Sequence, residues 1–181
     1  GRYTWHILIQ GIGGMKGQLG AVSGLPKDSI EVVVQDVGGS FGVRGAAYPE
    51  YFAAMVAARR LGRDIKWVAT RSETFISDHH GRALKLTGEL ALDADGRFLA
   101  IRFTDEADLG AYAAAFGAFI ATKNLTITMG GVYRIPAMYG LTRLAYTNTV
   151  PVSAYRGAGR PDIACAIERL VTHAANEHGF D

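Results

Sequence analysis

The sequence predicts an α+β protein with α/β-like layers: a mixed β-sheet carrying packed helices, plus one long antiparallel hairpin. Three observations predict it. Strand and helix patterns alternate as βαβαβ up to Ala69. Leu84 to Leu92 and Phe98 to Phe103 then alternate with period two around a turn. Ile163, Ile167, Leu170, Val171 and Ala174 recur at helical spacing behind Pro161.

Taken in order, Tyr3 to Gln10 is rich in β-branched and aromatic residues and reads as a strand ending at Gly11-Ile-Gly-Gly14. Met15 to Leu25 follows as a short helix closed by Gly24 and Pro26. The near-continuous apolar run Ile30 to Gln35 reads as a strand buried on both faces. After a glycine loop, Pro49 to Leu61 is a helix with Pro near its first position and Gly62 at its end. Ile65 to Ala69 is expected to be a third strand. Asp93-Ala-Asp-Gly96 turns the hairpin, with Gly96 supplying a left-handed position. Ala107 to Thr122, rich in Ala and Gly, reads as a pocket-lining loop with short helical pieces. Val132 to Pro136 leads into a strand from Met138 to Thr147, and a second glycine-containing loop precedes the last helix.

The totals exclude several classes. With 49% apolar and 20% charged residues in 181, the chain is globular in composition and long enough for a substantial core. A formal charge of +2, with its basic residues dispersed, gives no pull toward nucleic acid. No run of about 18 apolar residues suggests a membrane span. Cys165 is the only cysteine, so no internal disulfide or multi-cysteine metal site exists; its helical setting suggests a small buried residue. The chain opens on Gly1-Arg2-Tyr3 without an initiator Met or a signal-like segment, and is expected to be a piece of a longer polypeptide.

Chemistry concentrates in two loops, each between a strand and a helix. Gly38-Gly39-Ser40-Phe41-Gly42 has the glycines that bring backbone N–H groups close to an anion. Read alone, it is equally a tight turn with Phe41 tucked into the core. Ala154-Tyr-Arg-Gly-Ala-Gly-Arg160 carries Arg156, which suits an oxo anion or a salt bridge pinning the loop. Gly11-Ile-Gly-Gly14 fails the G-x-G-x-x-G pattern because Lys16 holds the third glycine position. His79-His80 and His173…His178 lack the spacing of a helical zinc pair, and no G-x-S-x-G elbow occurs. Asp105, Glu106 and Asp108 are expected to be a solvated strand end.

Gly38 to Gly42 resembles the Gly-Gly-Gly-Phe-Gly loop of the molybdenum hydroxylases, the xanthine dehydrogenase and aldehyde oxidase family. Val152-Ser-Ala-Tyr-Arg-Gly-Ala-Gly-Arg-Pro161 is similar to that family's second cofactor loop, in the form carried by the carbon monoxide dehydrogenase-like large subunits. Ile9-Gln10, Arg71-Ser-Glu73 and Tyr133-Arg-Ile-Pro136 also match in order and separation, so the resemblance covers nearly the whole chain. It implies one fragment of a molybdopterin-binding domain. Residues 1–80 and 132–181 would form a βα lobe, and 81–131 the hairpin and pocket-lining loop. Gln10, Gly38, Gly39, Phe41, Gly42, Arg156 and Gly157 would contact the molybdenum–molybdopterin cofactor, expected in its cytosine dinucleotide form, with no direct protein ligand to the metal. Ala158, Gly45 and Asn124 would face substrate.

The resemblance implies oxidation of an aldehyde, an N-heterocycle or a similar small molecule with water-derived oxygen. It implies FAD and iron–sulfur clusters on partner subunits, a dimer of heterotrimers and a cytoplasmic enzyme. The departures narrow it. Gly157 stands where carbon monoxide dehydrogenases carry a copper-binding cysteine. Gly45 and Asn124 replace the acidic residue and arginine of purine-oxidising relatives. The general-base glutamate would lie in a later part of the large subunit, so no catalytic residue is expected in these 181 residues, and alone they are expected to be inactive. The alternative is a non-redox anion- or nucleotide-binding module using the same two loops.

Overall fold

The computed structural model describes residues 1–180, which form two compact units, one from Gly1 to Asp78 and one beginning at His79. In the first unit, β1 (Tyr3–His6) pairs in parallel with β2 (Ile30–Val33), Tyr3 opposite Ile30 and His6 opposite Val33. Helix α1 (Ile12–Ser23) connects them, and α2 (Pro49–Leu61) follows. α1 holds four glycines, a poor helix composition. It forms because Met15 and Leu19, one turn apart, are buried against Trp5, Ile9 and Ile30. Tyr51, Phe52 and Met55 of α2 close the same core. α1 and α2 end on left-handed Gly24 and Gly62, as the sequence indicates.

Three expectations fail here. β1 stops at His6, earlier than Gln10, because the chain must turn into α1 at Ile12. β2 is buried only at Ile30, its other residues being half-buried, since the sheet has two strands. Ile65 to Ala69 has no strand partner and is irregular, with Trp67 and Val68 exposed. In its place α3 (Arg71–Ser77) forms. Thr70 caps it, its Oγ1 accepting from the Glu73 amide at 3.2 Å while Glu73 accepts from the Thr70 amide at 2.7 Å.

The second unit is a mixed three-stranded sheet. β3 (Leu84–Leu92) and β4 (Phe98–Asp108) are the expected antiparallel hairpin, with Asp93 Oδ1 accepting from the Asp95 and Arg97 amides at the turn. β5 (Ala137–Ala145) pairs with β4 in parallel, Ala100 opposite Ala137 and Asp108 opposite Ala145. Helix α5 (Arg160–His178) lays the expected stripe on the sheet: Ile163 and Ile167 are buried against Ile101, Phe103, Leu125, Met129 and Ile135, with Leu170 and Val171 beside them. Burying each isoleucine stabilises the unit by about 1.5–3 kcal/mol. Cys165 is exposed, not buried. Residues of 132–180 thus pack on the hairpin within the second unit. β4 also runs on past Phe103 to Asp108. Asp105 consequently lies inside the sheet, 1% exposed, and is not a solvated strand end.

Candidate functional site

The first loop leaves β2 and re-enters helix at α2. Its backbone is left-handed at Gly39 (φ 131°), Phe41 (φ 53°) and Gly42 (φ 99°). Phe41 does not enter the core. It is 52% exposed and its ring folds back over Gly39, where a Cβ would stand 2.8 Å from ring Cε2. Gly39 is favoured by its left-handed backbone, and a side chain there would also have to displace the Phe41 ring. The far side of the loop is fixed. Val43 and Gly45 donate to the carbonyls of Ser40 and Gly42, closing a 3-10 turn. Arg44 forms two hydrogen bonds to Asp78, at 3.0 and 3.1 Å, and its guanidinium lies over Tyr48. Gln18 of α1 donates to the Gly45 carbonyl and accepts from the Ala47 amide. The Gln10 amide donates to the Arg44 carbonyl at 3.0 Å. The structure thus brings Gln10, the glycine loop and Gly45 together in one unit.

A fixed rim leaves an open donor face. The amides of Gly38, Gly39 and Gly42 reach no protein acceptor among the described residues. Ser40 Oγ, in their midst, is buried without a hydrogen-bond partner. A buried hydroxyl left unpaired is a defect in a plain turn and a natural contact in a loop that holds a polar ligand.

The second loop belongs to the other unit. Gly157 (φ 88°), Ala158 (φ 49°) and Gly159 (φ 89°) are three consecutive left-handed residues. The Ala158 amide donates to the Tyr155 carbonyl at 2.7 Å and the Arg160 amide to that of Gly157. A Cβ on Gly159 would lie 2.6 Å from the Ile120 carbonyl oxygen, and one on Gly157 2.3 Å from Pro161 Cγ. Arg156 is exposed on the rim. Asn124, which the resemblance places towards substrate, is 5% exposed and donates from Nδ2 to the Ala158 carbonyl at 3.0 Å, so it holds the loop.

The Ala/Gly-rich stretch before it is likewise a platform beneath this loop. A Cβ on Gly110 would meet the Val150 carbonyl oxygen at 2.5 Å, and one on Gly117 that of Val152 at 2.4 Å. Its short helix α4 (Gly117–Phe119) runs into a π-turn over Ile120–Asn124. The small residues of this stretch permit these close backbone approaches.

The carboxylates nearby divide. Asp108 accepts from the Gly110 amide and the Thr147 and Thr149 hydroxyls, which hold its pKa below the usual carboxylate range. Burial, then the like charge of Asp162 in the first turn of α5, pushes Asp105 up to about 6. Among the described residues no three of His, Cys, Asp and Glu cluster as metal ligands, and no helix is long and apolar enough to cross a membrane.

Each unit thus carries one glycine loop with left-handed backbone, and in the first loop the amides of Gly38, Gly39 and Gly42 are left without a protein acceptor among the described residues. Residues 1–181 match the family described as the molybdopterin cofactor-binding domain, and the chain belongs to that family. It is 37% identical, over 86% of its length, to the gamma subunit of the 6-hydroxypseudooxynicotine dehydrogenase complex of Paenarthrobacter nicotinovorans, covering 20% of that protein. It is 33% identical, over its full length, to the carbon monoxide dehydrogenase large chain of Hydrogenophaga pseudoflava, covering 23%. Quinoline 2-oxidoreductase from Pseudomonas putida 86 superposes on 99% of the chain with a TM-score of 0.94 at 30% identity, over 23% of its own chain. The chain thus spans about a fifth of the length of the curated relatives it matches.

Proposed function

We propose that this chain forms part of the large catalytic subunit of a molybdenum-containing hydroxylase or dehydrogenase, and that its two glycine loops hold the molybdopterin cofactor. The observation that carries the reading is the first loop: outward amides of Gly38, Gly39 and Gly42 around an unpaired, buried Ser40 Oγ. Such a donor set fits a group bearing oxo and phosphate oxygens. When bound, the cofactor supplies the redox chemistry by which a substrate carbon is hydroxylated with oxygen from water.

The chain's own part is to bind and orient. Gly38, Gly39 and Gly42 offer backbone donors, fixed before the cofactor arrives by the turn at Val43–Gly45. Gln10 lines the same loop through its bond to Arg44, and Phe41 presents a half-exposed ring over Gly39. Arg156 and the Gly157 backbone contribute from the second loop, where Ala158 faces substrate. The remaining roles lie outside these residues: the general base further along the subunit, and FAD and iron–sulfur clusters on partners. The cytosine dinucleotide form of the cofactor, a dimer of heterotrimers and a cytoplasmic setting belong to the same proposal. Relatives named as a complex subunit and as large chains support the existence of partner subunits. Small residues at Gly157 and Ala158 favour an aldehyde or N-heterocycle over carbon monoxide, because no thiol stands there to hold copper.

The test is metal and pterin analysis of the full-length protein, expressed in a host that makes the cofactor. Molybdenum near one per chain, cytidine monophosphate released by acid, and loss of both in Phe41→Ala and Arg156→Ala are expected. A protein that carries neither metal nor pterin but binds a nucleotide by calorimetry would make the non-redox module the correct reading.

A further inference from the structure

Among the described residues only three non-glycine residues have a left-handed backbone: Phe41, Ala158 and Arg82. The first two sit in the glycine loops. Arg82 lies far from the second loop in sequence, between α3 and the hairpin, yet its side chain's hydrogen bond, ring contact and ion pair go to that loop and to the helix it opens. Nη2 donates to the Arg156 carbonyl at 2.7 Å. The guanidinium carbon stands 4.9 Å from the centre of the Tyr155 ring. Nη1 lies 4.0 Å from Asp162 Oδ2 in the first turn of α5. A backbone conformation that L side chains rarely adopt persists only where surrounding contacts fix it, and such strain gathers at functional sites.

The neighbouring backbone is shaped for the same purpose. The Ser153 amide donates to the His80 carbonyl at 2.8 Å and the His80 amide to the Pro151 carbonyl at 3.3 Å, so residues 80–82 run alongside the base of the loop. A Cβ on Gly81 would stand 2.8 Å from Tyr155 Cβ, so only glycine admits this approach. The planar guanidinium suits the position: one edge donates to a carbonyl while its face covers a ring, which a lysine ammonium cannot do together.

We infer that Arg82 is a positioning residue for the molybdopterin loop: it holds the Arg156 carbonyl and the Tyr155 ring so that the left-handed run at 157–159 is formed before the cofactor binds. Arg82 touches the back of the loop and takes no part in the chemistry. The inference rests on the reading that this loop serves the cofactor, and its test separates the two.

The experiment uses the full-length protein in its complex, with Arg82→Met, Arg82→Lys and Gly81→Ala. In R82M the metal-free protein should keep the wild-type melting temperature, while the Ala158 and Arg160 amides exchange hydrogen about tenfold faster. Molybdenum per folded chain should fall, and turnover should drop roughly ten- to hundredfold, the range found when residues that orient metal-binding groups are lost. R82K should recover part of the molybdenum content, and G81A should resemble R82M because it pushes Tyr155 away. Should R82M fail to accumulate, Tyr155→Leu removes the ring beneath the guanidinium and carries the same expectation for exchange. Unchanged loop exchange, or molybdenum lost only in proportion to unfolded protein, overturns the inference. Faster exchange in a protein whose wild-type form carries no molybdenum upholds the clamp and refutes the cofactor reading instead.

Discussion

Replacing Asp105 by asparagine removes one carboxyl from the middle strand of the second unit, and the consequence should depend on pH. Asp105 pairs with Leu86 on one side and Thr142 on the other, is 1% exposed, and has no hydrogen-bond partner for either oxygen among the described residues. Burial first, and the charge of Asp162 second, raises its pKa from 3.8 to about 6. A carboxyl with a raised folded pKa favours the folded state as the acid. Its contribution is fully present below the unfolded pKa and is lost as the pH rises through about 6. One pKa unit corresponds to about 1.4 kcal/mol, so ionised Asp105 costs about 3 kcal/mol at neutral pH. The stability of D105N relative to wild type should therefore increase by about 3 kcal/mol between about pH 3 and about pH 7. The surface acids Glu73, Asp93 and Asp108 have lowered pKa values and act in the opposite sense, but they are common to both proteins and cancel in the difference. Urea unfolding followed by far-UV circular dichroism is the assay, since Trp5 and Trp67 both lie in the other unit and report on that one. A difference that stays constant with pH would show that Asp105 is ionised and solvated throughout, and would refute the argument from burial.

Two further predictions follow from packing. Gly159→Ala forces a side chain to 2.6 Å from the Ile120 carbonyl at a left-handed position, so it should destabilise the second unit by about 1–3 kcal/mol and speed hydrogen exchange at Ile120 and Ile163. Ile163→Ala empties a fully buried site at the centre of the sheet–helix core and should lower stability by about 2–5 kcal/mol in the same urea assay, with exchange in α1 and β1 unaffected.

Local pattern settled much of this protein in advance. The hairpin was legible because period-two alternation and the Asp93–Gly96 turn are local properties of the chain. The stripe of α5 was legible for the same reason at period 3.6, and both glycine loops were visible as unusual composition between a strand and a helix. Helix α3 was also open to reading, since Thr70-Arg-Ser-Glu73 is a capping box, but the exposed Phe75 and Ile76 give it no amphipathic pattern.

What the sequence withheld depends on partners distant along the chain. Ile65 to Ala69 has the composition of a strand and none of the neighbours that would pair its backbone. Asp105 reads as a surface acid until β4 is seen to run through the sheet beneath α5. Asn124 and Arg82 lie 34 and 74 residues from the loop carbonyls they bond, and no periodicity reports such contacts. The sequence determined the local elements and which stretches were suited to cofactor binding. Only the tertiary structure decided which carboxyl is buried and which side chains hold the loops, because burial and support are properties of what surrounds a residue and not of the residue itself.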